Sequence, residues 1–315
     1  MTKRHELIAL IDCCPNGAVS PPGVSFIPSG RFTAVFGKST SWRMPMSGNR
    51  RQALQGAAER QAHLESCMRF GTVLPVRREC FVDPDAMSVL LTANADILDQ
   101  VSQRLRGAVQ YQVTVRWQAA QVLMHFRDTP EIRPLFSGTQ ITPVALESAV
   151  GKLAARLEAT MWPELRSVGR EVLALPVAED VLLNAAVLVS EADIFNLDQA
   201  VERIDAIWPE GLSIRQIGPA PGSSFALLDP VWKDAATIEH AHVTLRLNPG
   251  ASDQEITEAR RTSLMKPGCD PGHIRLAAQL VQAATRLGGV KAGLHLCAIR
   301  ADDQSTSASM GLAVA

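Results

Sequence analysis

The sequence predicts an α+β protein in which amphipathic helices cover antiparallel sheets. Two observations carry that prediction. Residues 6–115 read as strands, helix, strand, helix, strand, the order of a split βαβ sandwich. Beyond residue 142 a strand, helix, strand series recurs, so a chain of 315 residues is expected to hold two domains, with a smaller third segment at its end. The boundaries expected are 1–117 and 118–230 for the two α+β domains and 231–315 for a helical extension.

Glu6 to Ile11 forms the first expected strand, halted by the turn residues Cys14-Pro15-Asn16-Gly17. Val24 to Ile27 and Phe32 to Phe36 follow as short strands around Ser29-Gly30, and a Pro- and Ser-rich loop runs from Ser39 to Gly48. A helix comes next, with Leu54, Ala57, Ala58, Gln61, Leu64 and Met68 close to one face and Gly71 as its stop. Thr72 to Val76 is β-branched and apolar apart from Pro75, which has no N–H to donate and so places this strand at an edge or a bulge. Asp83 as N-cap and Pro84 at the first helical position start a second helix striped with Met87, Leu90, Leu91, Leu98, Val101 and Leu105 up to Gly107. Val109, Tyr111, Val113 and Val115 then alternate with polar residues, the period of a half-buried strand.

In the second half, Thr142-Pro143 repeats the cap-then-proline start, and Leu146, Val150, Leu153, Leu157 and Met161 make a face that Trp162-Pro163 is expected to interrupt. Leu182 to Val189, apolar except for Asn184, reads as a central strand. Asn196 with Gln199 resembles a capping box for a helix turning Ala200, Val201, Ile204 and Ile207 inward, and Leu212 to Ile217 returns as a strand. After a loop with Pro219 and Pro221, Val243 to Leu247 reads as a strand, Ser252 with Glu255 as a capping box, and Asp253–Met265 and His273–Leu287 as helices. Residues 302–315 are small and polar, the composition of a frayed end.

Composition narrows the function classes. With 46% apolar residues a sizeable core is easily built, and 31 Lys plus Arg against 32 Asp plus Glu leave no basic footprint for nucleic acid or an anionic membrane. Six irregularly spaced cysteines and no secretory start indicate a soluble, cytoplasmic protein with free thiols, Cys13 and Cys14 included. No apolar run reaches the length of a spanning helix. No Gly-rich phosphate loop or Gly-x-Ser-x-Gly elbow is present, and no catalytic residue or cofactor is expected. Arg60, His63 and Cys67 share a helix side, which suits interdomain packing or hydrogen bonding better than catalysis.

Leu74-Pro75-Val76-Arg77 after the helix bearing His63, and Gly218-Pro219-Ala220-Pro221 closing on Ser224-Phe225, are two separated landmarks on which the chain resembles the GvpL/GvpF family of gas vesicle proteins. Leu182 to Val189 is similar to that family's penultimate strand, so the resemblance spans roughly residues 5–230. It departs from the pattern at Arg78-Glu79-Cys80, where Phe-Gly-Thr is usual, and at Ala220, Gly222 and Ser223, where aromatic residues and proline are usual. The resemblance implies a two-domain protein whose first domain is a modified ferredoxin-like fold. It implies no reaction, but a role as an accessory or minor structural protein that binds the major gas vesicle shell protein, with other gas vesicle accessory proteins as further partners. The residues carried over for partner binding are Leu74, Pro75, Val76, Arg77 and Phe225, with no nucleic acid or lipid membrane as partner.

Two further readings concern the extension. His240, His242, Cys269 and His273 are residue types that bind zinc, which would make this segment a metal-dependent enzyme or regulatory domain. The segment from Leu247 onward also weakly resembles a J domain without its His-Pro-Asp tripeptide, Lys266-Pro267-Gly268-Cys269-Asp270-Pro271 standing there instead; such a segment would act as a chaperone-recruiting adaptor.

Overall fold

The computed structural model describes residues 5–13, 17–37, 50–136, 141–178, 180–290 and 293–300. The expected turn at Cys14 to Asn16, the loop from Ser39 to Gly48 and the tail from residue 302 lie outside the described residues. The protein is α+β with antiparallel sheets, and contacts divide it into two units, Met1–Arg106 with Ala226–Arg300, and Gly107–Phe225.

The first unit opens with β1 (His5–Asp12), β2 (Val24–Ser29) and β3 (Phe32–Gly37), followed by α1 (Arg50–Cys67), β4 (Thr72–Pro75) and the two-residue β5 (Phe81–Val82). Its strand order is β2-β3-β1-β4 with every neighbour antiparallel, and β5 pairs the start of β1. That is the strand order of a ferredoxin-like sheet. One face carries Ile8, Ile11, Val24, Val35 and Val73 against Leu64 and Cys67 of α1. Alternation turns Leu10, Ala34 and Leu74 to the other face.

The second expected helix is divided into α2 (Met87–Ala93) and α3 (Ala95–Leu105) at Asn94. Its start is the predicted one, with Asp83 accepting from Asp85 N and Pro84 at the first position. All six stripe residues are buried. Asn94 is buried as well, because its side chain donates to Leu90 O at 2.7 Å and His295 O at 2.8 Å and accepts from Cys297 N at 2.7 Å.

Gly107 begins the second unit: β6 (Ala108–Trp117), α4 (Ala119–His125), α5 (Pro143–Val168), β7 (Glu171–Ala174), β8 (Val181–Ser190), α6 (Ile194–Asp205) and β9 (Leu212–Ala220). Its sheet is ordered β7-β8-β6-β9, again antiparallel throughout. The strand at 109–115, assigned from sequence to the first domain, is therefore central to the second sheet: β6 bonds β8 and β9. The helix α5 also continues through Pro163. Proline in a helix costs about 3 kcal/mol, but Leu153, Leu157, Met161 and Leu165 are all buried at four-residue spacing, and that contact outweighs it. At α6 the N-cap is Asp193 in place of Asn196, whose amide instead donates to Asp193 at 3.1 Å.

The chain then returns to the first unit with β10 (Leu227–Asp234), α7 (Ala235–Leu245), α8 (Asp253–Leu264), α9 (Pro271–Arg286) and β11 (Gly293–Arg300). The strand expected at Val243 to Leu247 is the end of α7, a helix that Asp234 caps by accepting from Thr237 N at 2.8 Å. The capping box of Ser252 and Glu255 is present. β10 and β11 form a hairpin-like pair on which the three helices build a core of Ile238, Leu245, Ile256, Leu280 and Val281 with Leu294 and Leu296; Ala93 of α2 belongs to it. The segment expected as a separate extension thus shares a core with residues near the chain start.

One buried carboxylate ties the first unit together. Asp12 is 1% exposed and accepts from Arg31 Nε at 3.0 Å, Arg106 at 3.1 Å and the Ser102 hydroxyl. Burial alone would raise its pKa; the hydrogen bonds from Ser102, Cys13 and Arg106 and the charge of Arg31 overcome this and hold it below the ordinary 3.8. A lowered folded-state pKa contributes stability that is present above the unfolded value and lost as pH falls through the folded one. Asp12→Asn is expected to cost about 1–3 kcal/mol at pH 7, since an amide turns a donor toward other donors. Urea midpoints across pH check it: the gap between variant and wild type narrows as pH drops below about 4.

Candidate functional site

The first landmark is held by its surroundings at every residue. A 3-10 turn at Met68–Phe70 leads α1 into Gly71, whose φ is 152° and where a Cβ would lie 2.2 Å from Asp12 O. Only glycine fits this hinge. Leu74 and Val76 are 0% and 1% exposed and Pro75 is buried. Val76 N donates to Ile8 O at 3.0 Å, its carbonyl accepts from Arg60, and Arg77 N donates to Leu228 O at 2.7 Å. Val76 and Leu228 form a parallel bridge. The edge predicted from Pro75 does exist in the four-strand order, but β10 engages its end.

Burial therefore assigns Leu74, Pro75 and Val76 to the core, and the same holds for Phe225 at 0% in the second unit. Of the five residues singled out for partner binding, Arg77 alone turns outward. Its side chain is 54% exposed and pairs with the buried Asp229 at 3.4 Å. Arg69 lies over the Phe70 ring at 4.6 Å.

Arg60, expected to reach between domains, bonds inside the first unit. It meets Glu6 at 2.8 Å and Ile8 O at 3.1 Å in addition to Val76 O. Burial lowers its pKa from the ordinary value, with Glu6 opposing that change. His63 fills the space beside Gly23, where a Cβ would come within 2.4 Å of Nε2. Cys67 is a core thiol.

In the second landmark, Gln110 of β6 clamps the loop after β9. Its Nε2 donates to Ser224 Oγ at 3.0 Å and its Oε1 accepts from Ser224 N at 2.9 Å. Gly218 approaches so closely that a Cβ would lie 2.6 Å from the Tyr111 ring. Neither Gln110 nor Asn94 was singled out from sequence. Asn94 had one legible signal, a polar residue in line with an otherwise apolar helix stripe.

The zinc reading of the extension is not sustained. His240 and His273 approach with ring centroids 6.0 Å apart, but among the described residues no group of three or more His, Cys, Asp or Glu is placed to hold a metal ion. His240 and His242 lie on α7 two residues apart, so the helix turns them to different sides. Cys80 and Cys297 are shielded thiols: burial, with Asp229 adding to it, pushes Cys80 up to about 11, and burial pushes Cys297 higher still.

Two α+β units with antiparallel sheets of the same strand order are a fold shared with solved gas vesicle proteins. The crystal structure of the gas vesicle protein GvpF from Anabaena sp. PCC7120 aligns at TM-score 0.56 and 21% identity, covering 70% of this chain and 97% of that one. The GvpF structure from Microcystis aeruginosa aligns at TM-score 0.52 and 18% identity with the same two coverages. The model of the family described as gas vesicle synthesis protein GvpL/GvpF matches residues 15–226. The chain belongs to the GvpL/GvpF family. No curated protein matches it. Among the described residues no helix is long and apolar enough to cross a membrane.

The thiol environments give a direct check. Iodoacetamide at pH 8 is expected to modify exposed Cys13 well before Cys80 or Cys297, because the thiolate is the nucleophile. The Cys80 rate should keep climbing as pH approaches 11. Peptide mapping that finds Cys80 alkylated together with Cys13 at pH 8 would contradict the shielding.

Proposed function

We propose that this protein is a cytoplasmic, non-enzymatic assembly factor that binds the major apolar shell protein of gas vesicles and assists its addition to the growing wall. The family match over residues 15–226, which contains both landmarks, is the observation that supports the reading. Physics supplies the need: a small subunit rich in contiguous apolar surface and unpaired strand edges self-associates unless something covers it.

The partner surface in this proposal includes the exposed guanidinium of Arg77. Its planar fork has donors beyond the one facing Asp229, and these suit carbonyls or carboxylates of an incoming chain. Exposed apolar side chains of the same unit, Val231 and Trp232 on β10, the strand that carries Asp229, offer the apolar part of the contact.

Co-expression and co-purification with the shell protein is the test. A stable complex is expected with a tag at either terminus; its absence with both would sink the proposal. Arg77→Ala is expected to weaken the complex about tenfold, equivalent to about 1.4 kcal/mol, and to lower the melting temperature as buried Asp229 loses its ion pair. Unchanged affinity would remove Arg77 from the interface and leave it as the partner of Asp229.

A further inference from the structure

The segment beyond the family match builds, with α2 and α3, an open groove of about 470 Å³ wholly inside the first unit. One wall is the start of α3, another is α9 with Arg260 of α8, and the floor is β11 from Leu296 to Ile299. Among the described residues β11 has one strand neighbour, β10. Its other edge faces the groove.

The backbone shows what that edge is built to accept. In an antiparallel strand the N–H and C=O of a residue point to the same side, and successive residues alternate. The Asn94 amide takes the place of a neighbouring strand at one end: it donates to His295 O and accepts from Cys297 N. Cys297 lies opposite Pro230, which has no N–H to offer. By alternation the Cys297 carbonyl and both backbone groups of Ile299 point the same way, into the groove, and among the described residues no backbone group pairs with them there. One side chain thus engages two backbone groups of this edge and leaves three without a backbone partner among the described residues.

The walls select a charge. Arg286 is neutralised by its ion pair with Asp96, the one acidic residue of the lining. Arg260 has neither an ion pair nor a hydrogen bond among the described residues and is exposed at the rim. Gln100 and Gln279 line the same groove with amide groups that have no partner among the described residues. A peptide carboxylate would meet an unpaired guanidinium, whereas an ammonium would meet the same positive charge.

We propose that this groove is a docking site for an extended, acidic segment of a partner protein, which adds to the free edge of β11 beyond Asn94 and places a carboxylate against Arg260. Main-chain bonds to Cys297 and Ile299 supply the affinity, and Arg260 the preference for acidic over basic sequence. This site is separate from the shell-protein surface around Arg77 and stands whether or not that reading holds.

The test uses the full chain and two fluorescein-labelled heptapeptides of alternating composition, one glutamate–valine and one lysine–valine, read by fluorescence anisotropy. The glutamate peptide is expected to bind at least tenfold more tightly, with the preference falling as salt is raised. Arg260→Glu, a change on an exposed helix face, should abolish or reverse that preference while leaving the melting temperature in place. In hydrogen exchange, the amide of Ile299 should become protected when the glutamate peptide is added. Equal affinity for the two peptides, a preference untouched by Arg260→Glu, or an Ile299 amide that exchanges as fast with peptide as without it would each overturn the proposal.

Discussion

The first unit depends on the carboxylate of Asp12. It sits at the end of β1, the strand that pairs β3, β4 and β5, and gathers donors from the β2–β3 turn through Arg31 and from α3 through Ser102 and Arg106. A charge this buried is costly unless its acceptor sites are filled, and three elements are therefore held to one geometry. Its backbone carries a second constraint: Gly71, the hinge into β4, leaves just enough room for Asp12 O. The helix stop and the sheet register are set at one point.

That constraint bears on how the Leu74 to Arg77 run is understood. The hinge delivers β4 against β1, and the end of β4 is then taken up by Leu228 and Asp229 of β10. Arg60, nearly buried, fills the Val76 carbonyl from the helix side. The N–H and C=O of Val76 and the N–H of Arg77 each have an internal partner, and what reaches solvent is the Arg77 side chain. A motif that marks the family is, in these residues, chiefly a folding motif.

Much of the fold was legible because local chemistry and tertiary packing agree. The Asp83-Pro84 start, the Thr142-Pro143 start, the capping box at Ser252 and the alternation from Val109 to Val115 all appear as read. The misreadings fall where packing overrules a local preference. Burial carries α5 past Pro163, the cap at Asp234 draws the β-branched Val243 into a helix, and pairing to β8 and β9 places β6 in the second sheet. The return of residues 226–300 to the first unit was not readable at all, since Val76 with Leu228 and Asn94 with Cys297 are contacts between residues far apart in sequence, without any periodic trace. For the site, an arginine after a proline-bearing strand was legible as a candidate. The burial of its three neighbours was not, because an edge strand and a strand capped by a distant hairpin share one apolar pattern.

Asn94 shows how a single polar residue can decide what a surface does. A leucine in its place would continue the α2–α3 stripe and strand the Cys297 amide without an acceptor. With asparagine, the helix breaks by one residue, the amide occupies one repeat of the β11 edge, and the strand is prevented from being sealed along its whole length by the helix. The edge that remains is short and recessed between α3 and α9, so it is shielded from indiscriminate pairing with other strands. Within the first unit the buried acceptors at Asp12 and Val76 are filled by side chains, whereas the end of this edge is left for an incoming backbone to fill.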